Sequence, residues 1–234
     1  MESEPMVFIV DDDASVRKSL ERLVRSVGLR GETFASAPEF LQRAAADGPS
    51  CLVLDVRMPG VSGLVLQERL AAVGHRIPII IITGHGDITM SVRAMKAGAV
   101  DFLPKPFNDQ DLLESIQEAI ARDRQARQEW AALQDIQRRV ALLTPRERDV
   151  LALVAAGWLN KQIAQELGLS EKTVKAHRAQ VMQKMQVSSV AQLVLLAEKV
   201  GLTAPQGLSP LAQSSISSAS LINSRSDNRV GAQW

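Results

Sequence analysis

Asp11-Asp12-Asp13, Asp55, Thr83 and Lys105 each stand at or just beyond the end of a short apolar stretch. If those stretches are neighbouring strands of one sheet, three kinds of group meet at a single edge: carboxylates, a hydroxyl and an ammonium. Crowded carboxylates repel, and the repulsion is relieved by protonating one of them or by binding a cation. An oxygen-only donor set with room for water suits a hard divalent ion such as Mg2+. A carboxylate beside such an ion and an ammonium can attack a phosphoryl donor while the two cations stabilise the transferring oxygens. Asp55 is the best-placed nucleophile, because the acidic run at 11–13 can hold the metal and the following Arg57-Met58-Pro59-Gly60 forces a tight turn. Thr83 can donate a hydrogen bond to a phosphoryl oxygen. Asp13 reads as a cap for the helix that follows it.

A second chemistry lies in residues 171–185. Lys172, Thr173, Lys175, His177, Arg178 and Lys184 make this segment basic, while Val174, Val181 and Met185 recur at a spacing that faces inward. A helix with one basic face, entered through a tight turn, suits the major groove of DNA. Lys and Arg contact phosphates and guanine edges, and Thr meets phosphate or a thymine methyl.

The elements that must position these groups follow from hydrophobic pattern. Residues 7–10, 51–54 and 79–82 are continuous apolar runs, as in parallel strands buried on both faces, with 30–34 and 100–103 as weaker strands. Helix-period segments lie between and after them at 14–27, 37–46, 63–73, 88–97 and 109–121, the first with Val16, Leu20, Leu23 and Val27 on one face. Strand and helix alternate five times, which predicts an α/β doubly wound, five-stranded parallel sheet of flavodoxin-like type over 6–121. Residues 122–139 are charged and contain neither Gly nor Pro, and read as a linker helix. Over 140–203 the strand pattern disappears. Thr144-Pro145-Arg146-Glu147 opens a helix with a capping box, Asn160–Leu167 is a second, Ser170 caps a third, and Ser188 or Ser189 a fourth, giving a small all-α helix-turn-helix domain. Residues 204–234, rich in serine and without periodicity, read as a disordered tail.

Composition narrows the classes. Hydrophobic residues make up 46% and charged residues 23%, the balance of a soluble globular chain. The one cysteine, Cys51, forms no internal disulfide and reads as buried and inert. No Cys/His cluster has zinc spacing, and no apolar run approaches the ~18 residues of a membrane span, so a cytoplasmic location with no membrane partner is expected. The N-terminal residues resemble neither a signal nor a transit peptide. His75 and His85 read as surface residues. Residues 1–121 carry 12 basic against 17 acidic groups, and 141–202 carry 8 against 5. That asymmetry points to a cation in front and a polyanion behind.

The motifs VDDD at 10–13, LDVRMPGVSG at 54–63, ITG at 82–84 and KPF at 105–107 resemble, in order and spacing, the receiver domain of bacterial response regulators. LTPRE, NKQIA and TVKAHR within 140–203 resemble the LuxR-type DNA-binding domain, and the pair together resembles the NarL/FixJ family of two-component regulators. The resemblance implies that Asp55 is the phosphoacceptor and that Mg2+ is held by Asp11 or Asp12, Asp55 and the backbone carbonyl of Arg57. It makes Thr83 and Lys105 phosphate-sensing residues and Phe102 an aromatic switch. DNA contacts map to Lys172, Lys175 and Ala176, with Thr173, His177 and Arg178 near the backbone. The implied partners are a sensor histidine kinase, a double-stranded DNA operator, a second copy of the chain when phosphorylated, and RNA polymerase. The implied role is transcription control rather than enzymatic turnover. A haloacid-dehalogenase-type phosphatase uses similar parts, but its nucleophile follows the first strand as DxD, whereas here that strand ends in DDDAS and the chain leaves no room for a cap domain. A regulator switched by a partner without phosphorylation is the other alternative, and the complete Asp12, Asp55, Thr83 and Lys105 set argues against it.

Overall fold

In a computed structural model, residues 4–43, 46–84 and 88–202 are described. They form two compact units, divided after Ala131.

The first unit contains five parallel strands: β1 (Met6–Val10), β2 (Arg30–Phe34), β3 (Ser50–Asp55), β4 (Ile79–Thr83) and β5 (Asp101–Pro104). Their order across the sheet is β2-β1-β3-β4-β5, the doubly wound order expected. Helices α1 (Ala14–Ser26), α2 (Ala37–Leu41), α3 (Gly63–Ala72), α4 (Ile88–Lys96) and α5 (Asp109–Ala141) follow the strands in turn. Side chains alternate across a strand, so each apolar run feeds two cores. Phe8, Leu52, Leu54 and Ile81 pack on one face with Phe40 of α2, Leu66 and Leu70 of α3 and Ala94 of α4. Val7, Ile9, Val53, Ile80 and Ile82 pack on the other with Leu20 and Val24 of α1 and Leu112 and Ile116 of α5. This two-sided burial explains why the runs are continuously hydrophobic. Cys51 lies in the second face, fully buried, and burial drives its thiol pKa far upward.

Two helix readings need correction. Val24 rather than Val27 completes the inward face of α1, because the helix ends at Ser26 and Val27 is 45% exposed. Helix α2 stops at Leu41 instead of reaching 46, and residues 44–45 lie outside the described set. His85 and residues 203–234, including the Ser-rich segment, also lie outside it.

Helix α5 is unbroken from Asp109 to Ala141, as expected for a segment lacking Gly and Pro. Its earlier part serves the first unit: the Asp123 carboxylate accepts the backbone N–H of Ser50 at 2.8 Å. Ile136, further along, belongs to the core of the second unit.

The second unit adds α6 (Pro145–Ala155), α7 (Asn160–Leu167), α8 (Glu171–Met185) and α9 (Val190–Lys199) around Val150, Leu151, Val154, Ile163, Val174, Val181 and Met185. Its caps are those the sequence indicates. Thr144 and Glu147 close a reciprocal capping box, Ser170 caps α8, and Ser189, rather than Ser188, caps α9. Gly168 ends α7 with φ +65, so the turn into α8 uses a left-handed position open to glycine.

Candidate functional sites

Parallel strands deliver their C-terminal residues to one edge. Asp11 follows β1, Asp55 ends β3, Thr83 ends β4 and Lys105 follows β5. The Lys105 backbone N–H donates to the Thr83 carbonyl at 2.7 Å, which fixes where the lysine leaves the sheet. Its Nζ then donates to Asp11 Oδ2 at 2.7 Å and to Asp55 Oδ1 at 2.9 Å. The remaining carboxylate oxygens are also held. Asp11 Oδ1 accepts the Asp13 N–H at 2.8 Å, and Asp55 Oδ2 accepts the Arg57 N–H at 2.7 Å. Arg17 of α1, which sequence reading did not single out, donates to the Asp11 carbonyl at 2.6 Å.

Asp11, Asp55 and Thr83 are all buried, while Asp12 is exposed. Asp13 accepts the N–H groups of Ser15 and Val16 and is the helix cap it was read to be. Burial pushes the Asp55 carboxyl above the ordinary aspartate range, against the lowering effect of its hydrogen bond to Lys105. Burial also opposes the charge on Lys105, but its hydrogen bonds to Asp11 and Asp55 outweigh that and raise its pKa. Phe102 on β5 is half-buried against the Phe8/Leu54/Ile81 core.

Two buried carboxylates face one ammonium, which leaves negative charge uncompensated. The donor set is all oxygen, so it fits a hard divalent cation. Among the described residues no three acidic, histidine or thiol groups stand close enough to hold a metal by themselves. An ion at Asp11 and Asp55 would therefore complete its shell with backbone carbonyl and water.

On α8, Lys172, Lys175 and Ala176 are exposed, whereas Thr173, His177 and Arg178 are half-buried. The Thr173 and Ser170 hydroxyls lie 2.8 Å apart, and Arg178 donates to Asn160 Oδ1 of α7 at 2.6 Å. Lys184 does not join the basic face. Its Nζ donates to the buried Glu147 carboxylate at 2.6 Å, which also accepts the Thr144 N–H at 2.8 Å. First Lys184 and then Thr144 hold Glu147 below the ordinary glutamate pKa. A depressed carboxylate pKa contributes stability above its unfolded value, lost as pH falls through the folded one. Lys184→Met is therefore expected to destabilise the second unit by about 1.5–3 kcal/mol at pH 7. The deficit should vanish in acid, where Glu147 is protonated with or without the lysine. Urea denaturation at both pH values checks this, and a deficit that persists unchanged in acid rules out the ion pair as its cause.

Comparison with known proteins agrees with both halves. The family model described as the response regulator receiver domain matches residues 7–117, and that of the bacterial regulatory proteins of the luxR family matches 141–197. The chain is 52% identical over 202 residues to nodulation protein W of Bradyrhizobium diazoefficiens, covering 86% of this chain and 89% of that protein. It is 44% identical to the transcriptional regulatory protein FixJ of the same organism, covering 86% of this chain and 98% of that protein. Among solved structures, the response regulator StyR aligns with a TM-score of 0.77 at 51% identity, over 84% of this chain and all of that one. Full-length FixJ from B. japonicum aligns at 0.51 and 44% identity, over 86% of this chain and 99% of that one. The fold and its acidic edge thus define a receiver joined to a helix-turn-helix module. The chain belongs to the NarL/FixJ family of two-component response regulators and is a DNA-binding transcription regulator. No helix among the described residues is long and apolar enough to cross a membrane.

Proposed function

We propose that this regulator is switched by phosphorylation of Asp55 and that the switch controls how two copies of the chain engage DNA. The observation that carries the proposal is the Lys105 ammonium bridging Asp11 and Asp55 at a buried sheet edge. A carboxylate so held is a nucleophile already oriented, with the counter-charge for the product beside it. The Asp55 carboxylate attacks phosphorus, the donor's bond to phosphorus breaks, and the leaving group is an imidazole nitrogen of a sensor histidine kinase or the acetate of acetyl phosphate. Lys105 follows the transferred oxygens and Thr83 donates its hydroxyl to one of them. Asp11 or Asp12, Asp55 and the Arg57 carbonyl are the residues that would hold Mg2+, with Asp11 and Asp55 buried and Asp12 exposed. Bound there, the ion supplies charge stabilisation for the transfer.

Movement of Thr83 toward the phosphoryl group leaves space for Phe102 to turn inward, which couples the site to the α4–β5–α5 surface. The receiver comprises 6–121, the connecting helix 122–139 and the DNA-binding domain 140–203. Lys172, Lys175 and Ala176 face the bases, while Thr173, His177 and Arg178 sit near the backbone of a double-stranded operator. A single short recognition helix reads few base pairs, so a phosphorylated homodimer on two half-sites gains affinity and specificity. The chain acts in the cytoplasm, delivers its output through RNA polymerase, and is a phosphoprotein rather than an enzyme with a substrate of its own.

Acetyl phosphate with Mg2+ is expected to place one phosphoryl group per chain on Asp55, to convert monomer to dimer in sedimentation, and to tighten operator binding. Lys175→Ala should weaken that binding and lower the slope of log affinity against log salt by about 0.9. A chain that takes up no phosphoryl group, or takes it on another residue, overturns the proposal.

A further inference from the structure

The first unit has a second concave site, at the end of the sheet opposite Asp55. A cleft of about 500 Å3 opens where β3 begins, bounded by Ser50, Ile77 before β4, the end of α3, and α5. This is the size of a small-molecule pocket. Its floor is apolar: Phe8, Phe40, Leu70 and Ile77 are all buried. At its mouth stands Trp130, 55% exposed although it is a large apolar side chain.

The charged residues of the lining are unbalanced. Arg43, Arg76 and Arg127 face one acid, Asp123. That acid is already engaged, accepting the Ser50 N–H and the Arg127 Nε at 2.8 and 2.7 Å. Arg43 lies 4.9 Å from the centre of the Phe8 ring and pairs with Glu32. Arg76 is exposed and takes part in no ion pair among the described residues. With Arg43 paired to Glu32 and Arg127 to Asp123, the rim carries one surplus positive charge, on Arg76, above an aromatic and aliphatic floor.

We propose that this cleft binds a small organic acid, with its apolar or aromatic body on Phe8, Phe40 and Leu70 beside Trp130 and its carboxylate on Arg76 and Arg127. Both halves of the ligand follow from the lining. An uncharged hydrocarbon leaves Arg76 without a counter-ion among the described residues, and a bare inorganic anion leaves the apolar floor uncovered. This assignment does not rest on the phosphorylation site: it holds whether or not Asp55 takes up phosphate.

The probe is 2-naphthoate, titrated calorimetrically into the full chain, with the neutral 2-naphthamide as its control. Saturable one-to-one binding of 2-naphthoate with Kd below about 1 mM is expected. The amide should bind at least about tenfold more weakly. Arg76→Gln, at an exposed position outside every fold-stabilising pair described, should weaken 2-naphthoate by about fivefold, as should Trp130→Ala. Asp55→Asn should leave binding unchanged. Equal affinity for acid and amide, or binding indifferent to both Arg76→Gln and Trp130→Ala, overturns the proposal, as does no saturable binding. Self-association of the unliganded chain that buries Trp130 overturns it too, by making a second copy the occupant.

Discussion

Asp55→Asn is expected to abolish phosphoryl uptake completely and, at the same time, to make the first unit more stable at neutral pH. The two effects have different origins. The amide keeps the shape of the carboxyl but is no nucleophile, so labelling from acetyl phosphate falls to background. The gain in stability comes from removing a buried charge. Burial raises the Asp55 pKa in the folded chain, so ionising this group opposes folding. The penalty is absent below its unfolded pKa and grows as pH rises through the folded one. Lys105 loses one of its two carboxylate partners in the variant but keeps Asp11 at 2.7 Å, so the ammonium is not stranded. Thermal unfolding should show the variant melting above the parent at pH 7, with the difference shrinking toward pH 3. A variant that still accepts label at the parental rate removes Asp55 from the chemistry. One that melts lower at pH 7 shows that the hydrogen bonds to Lys105 and Arg57 outweigh desolvation. Mg2+ should stabilise the parent more than the variant, since one of the two buried carboxylates proposed to hold the ion is gone.

What could be read from the chain depends on whether the signal is local. Continuous apolar runs mark β1, β3 and β4 because both faces of those strands are covered, and the Gly/Pro-free stretch after Asp109 marks one long helix. The meeting of Asp11 and Lys105, 94 positions apart, is legible only through topology: parallel strands bring their ends to one edge. Caps at Asp13, Thr144 and Ser170 are legible because a cap bonds within its own turn. The features that escaped are those requiring a partner from another element. Lys184 looks like one more cation on a basic helix until α6 brings Glu147 to it. Arg17 looks like surface charge until α1 lays it against the Asp11 carbonyl. The basic cleft at the far end of the sheet draws on residues from Phe8 to Trp130, and no contiguous motif announces it.

Gly63 is the sharpest case of such a hidden requirement, and Gly63→Ala is expected to be among the most damaging small substitutions in the first unit. The residue opens α3, and its N–H donates to the Val56 carbonyl at 2.9 Å, drawing the helix start onto the end of β3. A Cβ added there would lie 2.3 Å from the Asp55 carbonyl oxygen and 3.0 Å from Leu54 Cγ. The first of these is backbone, in a strand paired on both sides, so it cannot rotate away as a side-chain end can. Either α3 lifts from the sheet or the end of β3 bends. Overpacking of a tight core costs about 1–3 kcal/mol, and an unyielding backbone neighbour places this variant at or above the upper figure. Gly60 in the preceding turn is the control. It has φ +81 but nothing within 4 Å of an added Cβ, so Gly60→Ala meets backbone strain alone, about 1–2 kcal/mol. Urea unfolding followed by circular dichroism should rank the chains parent, Gly60→Ala, Gly63→Ala in falling stability. The functional consequence separates them further, because only Gly63 touches the residue whose carboxylate Lys105 and Arg57 hold in place. Phosphoryl uptake by folded Gly63→Ala should drop by about tenfold or more, since a displacement near 1 Å at the reacting carboxylate costs orders of magnitude in rate. An unchanged denaturation midpoint and labelling rate in Gly63→Ala would mean that α3 can stand away from β3 without disturbing Asp55.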